Sequence, residues 1–281
     1  MFNKIRIIID YKEKDLNSLF SFCDCIKSIK FKNFKRNNII DMGEMFRYCI
    51  SLESIDFSDF NTDNVIDMNK MFCGCSSLKE LNLSKFNTSK VTKMNAMFYE
   101  CSSLTELNLN NFNTNNVTNM VQMFMKCSSL KKINLSSFNT NNVETMEEMF
   151  KECSSLTELN LSNFNTKKVT DMGNMFEGCS SLKKLNVSNF NTNNVRAMHD
   201  MFKGCSSLTE LDLSSFNVDN RPNMNQMFCE CSSLKELKFN FKVGNQMFMT
   251  FAYCPKELIF KILNEHKDIR KESLVDPYAH N

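Results

Sequence analysis

The chain predicts an α/β repeat solenoid. It reads as a stack of 26-residue coils, each a short parallel β-strand plus a turn and a short helical or 3₁₀ segment. Three observations lead there. The string Met71-Phe72-Cys73-Gly74-Cys75-Ser76-Ser77-Leu78 returns at Met97, Met123, Met149, Met175, Met201 and Met227; it is recognisable at Met45 and persists in degraded form at Leu19-Phe20. The spacing is 26 residues every time, without an insertion, from Leu19 to about Asn240, and a fixed period of that size marks a stacked-repeat architecture. Composition follows the period: of 26 Phe, 20 Met and 13 Cys in 281 residues, 17 Phe, 16 Met and 9 Cys fall in five columns.

The same composition excludes several classes of function. Six Gly leave little room for phosphate-cradling loops or many glycine turns, and three His leave little for metal or acid–base sites. A net charge of +2 from 34 basic and 32 acidic residues argues against a polyanion-binding surface, so no nucleic acid is expected as a partner.

Within one coil, Leu78-x-x-Leu81-x-Leu83 reads as a short strand. Leu81 and Leu83 point one way, and Glu80, Asn82 and Ser84 the other. Phe86-Asn-Thr-x-x-Val91 is turn chemistry, because Asn and Thr side chains bond nearby backbone groups. Val91-x-x-Met94-x-x-Met97-Phe98 steps by three and one, the spacing of a short helical or 3₁₀ segment. No coil can bury its apolar face alone. Stacking coils about 4.8 Å apart pairs each strand in parallel with the next and sets like residues over like.

The core Leu104-Thr-Glu-Leu107-Asn-Leu109 resembles that of a leucine-rich repeat. The longer unit Met-Phe-x-x-Cys-Ser-Ser-Leu-x-x-Leu-x-Leu-x-x-Phe-Asn-Thr-x-x-Val-x-x-Met resembles the BspA-like leucine-rich repeat proteins over roughly residues 19–240. That resemblance implies a parallel-stranded solenoid and a surface protein engaged in adhesion or protein binding. Phe86-type residues stand where the ordinary repeat has its ladder Asn, and the Asn87 column (Asn61 to Asn217) is expected to bond backbone between coils instead.

The organisation along the chain is one continuous solenoid. Residues 1–18 read as a capping half-coil, with Ile5, Ile8 and Leu16 in register; residues 19–240 are the regular repeats. Residues 241–265 hold a degenerate last coil and a capping helix with Leu258, Ile259, Ile262 and Leu263 on one stripe; residues 266–281 are a charged tail. The apolar run at Ile5 and Ile7 to Ile9 is too short for a signal peptide, and no stretch approaches a membrane span of about 20 residues. The expectation is therefore an intracellular protein without membrane insertion, or a cell-surface one if a leader is missing.

Cysteine invites disulfide or metal readings. Regular disulfides along the column are disfavoured, since parallel side chains about 4.8 Å apart keep the Cβ atoms beyond the usual 3.5–4.5 Å. Cys23-x-Cys25, Cys73-x-Cys75 and Cys229-x-Cys231 lack the C-x₂-C spacing of structural zinc sites. The reading that remains is a small buried residue in a tight corner of each coil. Met and Phe columns beside Leu likewise read as core.

The exposed strand face is the expected working surface. Its candidate binding residues are Glu80, Asn82, Glu106, Asn108, Lys132, Asn134, Glu158, Asn160, Lys184, Asn186, Glu210 and Asp212. Glu and Lys alternate from Glu106 to Glu210, so each charge is expected opposite its counter-charge on the next strand. No Trp, Tyr or Arg stands in these columns as an anchor, which suits extended contacts better than one pocket.

Catalysis finds no support, because Cys75 and Ser76-Ser77 recur in every regular coil while His199, His266 and His280 are scattered. His199 reads as a solvated side chain on the outside of its coil. The function expected is a non-enzymatic protein-binding scaffold, monomeric, with no cofactor or metal. The alternatives are an exported BspA-like adhesin and a structural spacer with no specific ligand.

Overall fold

The computed structural model describes residues 12–32, 34, 36–240 and 247–266. The chain forms a leucine-rich-repeat-like solenoid of 26-residue coils with short parallel strands. Residues 1–11 of the predicted half-coil, part of the last coil and all but the first residue of the predicted tail lie outside the described residues.

Six strands are present among the described residues: β1 (Ser28–Lys30), β2 (Ser54–Asp56), β3 (Glu106–Asn108), β4 (Lys132–Asn134), β5 (Glu210–Asp212) and β6 (Glu236–Lys238). They pair in parallel as β1–β2, β3–β4 and β5–β6, with Leu107 opposite Ile133 and Leu211 opposite Leu237. The expected unbroken sheet is therefore three two-stranded pieces. The unbroken ladder lies elsewhere, as single parallel bridges running Asp15, Asp41, Asp67, Lys93, Asn119, Thr145, Asp171, Ala197, Asn223.

That ladder explains why the predicted helical segment is not a helix. Met68, Lys70, Phe72 and Gly74 donate their N–H groups forward, to the carbonyls of Lys93 (3.0 Å), Asn95 (2.9 Å), Met97 (2.9 Å) and Tyr99 (2.7 Å). A helix would use these donors internally. Between them the chain closes in β-turns, Met71 N–H to Met68 O, Cys73 to Lys70 and Cys75 to Phe72. The step of three seen in the sequence is the step from turn to turn. Lys70 (φ 51°) and Gly74 (φ 75°) take the left-handed conformation, and the equivalent positions elsewhere hold Glu100, Lys126, Glu148, Glu152 and Asn174 among others. Gly scarcity did not prevent the turns, because non-glycine residues occupy most of them; at Gly74 a Cβ would meet the Tyr48 ring at 2.3 Å.

The core is a set of columns. Phe20, Phe46, Phe72, Phe98, Phe124, Phe150, Phe176, Phe202, Phe228 and Phe251 stack ring on ring, with centroids 5.4–5.9 Å apart. That is an offset stack, the arrangement the ring quadrupole favours. In the Phe86 column the spacing is less even: Phe34 and Phe60 stack at 4.9 Å, whereas Phe60–Phe86 and Phe138–Phe164 stand 6.3 and 6.5 Å apart. The last coil ends in α1 (Lys256–Glu265), where Leu258 and Ile262 are buried and Ile259 and Leu263 pack against the same core.

The Asn87 column does link coils, but side chain to side chain, Asn87 Nδ2 donating to Asp63 Oδ1 at 2.8 Å and Asn139 Nδ2 to Asn115 Oδ1 at 2.7 Å; the expected side-chain bonds to backbone between coils are carried by other residues. Asn87 Oδ1 accepts the N–H of Ser89 two residues on, and Asn113, Asn139 and Asn165 repeat this within their own coils. The buried Thr column links coils: Thr88, Thr114, Thr140 and Thr166 each donate to the carbonyl of the Asn 25 residues ahead. The second Asn column joins it, with Asn116 Nδ2 donating to Ser89 O at 2.9 Å.

The cysteines also bond. Cys75, Cys101, Cys127 and Cys153 donate their thiols at 3.1 Å to the carbonyls of Phe46, Phe72, Phe98 and Phe124. The pattern runs from Cys49 to Cys254. All 13 cysteines are free thiols. Burial pushes the Cys127 and Cys179 thiols up to about 12 and Cys49 to about 11, so they remain protonated donors.

Two outcomes follow for stability. Thr140 donates to Asn165 O at 2.9 Å and accepts from Asn165 N–H at 2.7 Å, so Thr140→Val orphans two backbone groups. Thr140→Val should cost about 2–4 kcal/mol by urea unfolding while Thr140→Ser keeps most of the stability. The raised thiols contribute stability that is full below the unfolded value of about 8.5 and is lost as pH rises toward about 12. The urea midpoint should fall above about pH 9, by up to about 1.4 kcal/mol per pH unit for each buried thiol. Cys127→Ala should lower stability at neutral pH yet flatten that alkaline fall; an unchanged slope contradicts the assignment.

Candidate functional site

The strand face is built by alternation. In β3, Leu107 is buried while Glu106 and Asn108 face solvent, and β5 repeats this with Leu211, Glu210 and Asp212. All twelve predicted residues, Glu80 to Asp212, are exposed and recur coil by coil along one side of the solenoid.

The two predicted columns differ in what their side chains do. Asn82, Asn108, Asn134, Asn160 and Asn186 each accept the N–H two residues on at 3.0–3.1 Å, and Asp212 accepts from Ser214 N–H at 2.9 Å. Their side-chain oxygens thus close the turn that ends each strand segment. The Ser214 hydroxyl and N–H hold the Asp212 carboxyl below the usual carboxylate range. The outer column is free of such duty. Lys184 pairs with Glu210 at 3.3 Å, but among the described residues Glu80, Glu106, Lys132 and Glu158 form no ion pair. Glu106 and Lys132 are register partners without closing to contact. Apart from Lys184 with Glu210, the alternation therefore sets charges in sequence along the face without pairing them off among the described residues, and Glu210 opposite Glu236 is a like-charge pair.

Closed ion pairs are commoner on the turn side. Lys151 lies 3.2 Å from Glu148 and 2.7 Å from Glu177, Lys203 lies 3.3 Å from Asp200, and Arg47 lies 3.0 Å from Glu44. At the first coils this side also carries an aromatic stack, exposed at Phe22 and half-buried at Arg47 and Tyr48, that the strand-face reading missed. Phe22 and Tyr48 stack at 5.4 Å, and the Arg47 guanidinium lies 5.4 Å and 5.3 Å from their centroids. Its signal was present in the sequence, as Arg47-Tyr48 where the next coil has Cys73-Gly74.

His199 is half-buried rather than solvated. Its ring lies over Gly173, where a Cβ would stand 2.5 Å from His199 Cε1, and Nδ1 has no hydrogen-bond partner. Among the described residues no three His, Cys, Asp or Glu side chains form a metal-binding group. Among them, too, no helix is long and apolar enough to cross a membrane.

Asn134→Ala should cost about 0.5–1.5 kcal/mol through loss of the Ser136 N–H bond, with Asn134→Asp retaining it. Glu158→Ala should stay within about 0.5 kcal/mol of the parent protein. Equal effects in urea unfolding would remove the distinction between the two columns.

The chain is similar to a T. pallidum leucine-rich repeat protein at 20% identity, covering 60% of this chain and 70% of that one, with a TM-score of 0.43. A leucine-rich cell surface protein from Faecalibacterium prausnitzii shares 13% identity over 77% of this chain and 88% of that one, at a TM-score of 0.33. A leucine-rich repeat protein from Bacteroides ovatus shares 17% identity over 92% and 86%, at 0.28. A search of curated proteins finds no match. The family described as Mycoplasma protein of unknown function, DUF285, matches residues 14–109, 79–159 and 155–258, and this chain belongs to it.

Proposed function

We propose that the protein is a non-enzymatic, protein-binding repeat scaffold that uses the exposed strand face. The observation that carries this reading is the division of labour on that face. The Asn82 column is occupied in closing turns, whereas Glu80, Glu106, Lys132 and Glu158 project charged groups that the fold does not use. A backbone fixed by inter-coil hydrogen bonds presents such groups at constant spacing, so binding has to order only the side chains and not the chain that carries them, which lowers the entropic cost of an extended contact. Charges of alternating sign select a partner by complementarity more than by raw affinity. The resemblance to BspA-like proteins extends the reading to adhesion at a cell surface, which localisation of the full-length product tests directly.

The test combines Glu106→Lys, Lys132→Glu and Glu158→Lys in one variant, used beside the parent protein in affinity capture from the native cell and its surroundings. Unchanged unfolding with at least a tenfold loss of captured partner is expected, roughly 1.4 kcal/mol or more. Retained capture would sink the strand face. Loss on Tyr48→Ala instead would move binding to the Phe22–Arg47–Tyr48 stack.

A further inference from the structure

Eleven of the 13 cysteines are buried. Nine of those donate their thiols to Phe carbonyls one coil back, from Cys49 onto Phe20 to Cys254 onto Phe228. The remaining two, Cys73 and Cys229, are 5% and 2% exposed. Cys23 and Cys25 break this rule together. Cys25 is exposed and Cys23 is intermediate, and neither donates to a Phe carbonyl among the described residues. They occupy one tight turn, in which Ile26 N–H donates to Cys23 O at 3.4 Å. Two residues at full stretch span about 7 Å, and the turn shortens that toward the 4.4–6.8 Å between Cα atoms that a disulfide requires.

We propose that Cys23 and Cys25 form a thiol–disulfide exchange site for low-molecular-weight disulfides. The exposed Cys25 thiolate attacks one sulfur of R–S–S–R, forming Cys25–S–S–R and expelling RS⁻, which takes up the proton Cys25 gave up. The Cys23 thiolate then attacks Cys25 Sγ, forms the Cys23–Cys25 bond, and expels the second RS⁻, which is protonated in turn. One electron pair passes from the two protein thiols to the small disulfide, leaving two RSH. The buried thiols stand aside because only the thiolate attacks. The bond would lock the first coil's turn beside the exposed Phe22 ring.

The experiment uses the folded full chain with 5,5′-dithiobis(2-nitrobenzoate), followed by absorbance and by intact mass. The parent protein should release about two aryl thiolates per chain and keep no bound aryl group, its mass falling by the two hydrogens of a disulfide. Cys23→Ser should release about one and retain the mixed disulfide, while Cys25→Ser should react at least tenfold more slowly. Neither variant touches the carbonyl-bonded thiols, and circular dichroism checks that both remain folded. Retention of aryl groups by the parent, behaviour of Cys23→Ser like the parent, or release well beyond two equivalents would each overturn the site.

Discussion

Every regular part of the molecule depends on a constant coil length. The bonds that join coils link residues at fixed offsets: N–H groups of the turn side to carbonyls 25 residues ahead, Thr hydroxyls to carbonyls 25 ahead, thiols to carbonyls 29 behind. They converge at the Phe column. The Phe72 carbonyl accepts the Cys75 N–H of its own turn and the Cys101 thiol of the next coil, each at 3.1 Å. Both lone pairs of a buried oxygen are thereby satisfied, and the ring of the same residue sits in the aromatic stack. One inserted residue would misplace all of these partners at once, which accounts for the absence of insertions through the regular array.

The turn side therefore holds the stack together, and the strand side is the less constrained one. Among the described residues only three pairs of coils form sheet there, with strands three residues long. The face with the unbroken hydrogen-bond ladder has little room to vary, whereas on the strand side Glu80, Glu106, Lys132 and Glu158 can change charge without disturbing an ion pair among the described residues.

Much of the architecture was legible in the residues, because a column of like side chains at constant spacing has one reading. The period, the parallel strands, the buried Met, Phe and Leu columns and the outward direction of Glu106 and Asn108 all follow from alternation and register. What escaped was hydrogen bonding between coils. Columns reveal which side chains lie over one another but not which backbone atom each one faces. Thr88, one position from the Asn to which the role was given, reaches the neighbouring carbonyl, and Cys101 turned out to be a donor as well as a filler. The helical spacing of Met94 and Met97 misled for a related reason, since consecutive β-turns and a helix place apolar residues at similar intervals. For the strand face, exposure was legible while the turn-closing bonds of Asn134 and Asn160 were not. The Phe22–Arg47–Tyr48 stack appears only as a local departure from the repeat, and such departures carry no direction in space until the coil is built.

The offset bonds have one more consequence. Each coil offers its successor the same set of acceptors and donors that it takes from its predecessor, so the interfaces are interchangeable. A chain of this kind can gain or lose whole units by recombination within its gene without creating an unfamiliar junction. Length becomes a heritable variable set apart from stability. The alternation of Glu and Lys over 52 residues suits a two-unit step in such growth, since adding a pair preserves the order of charges along the face.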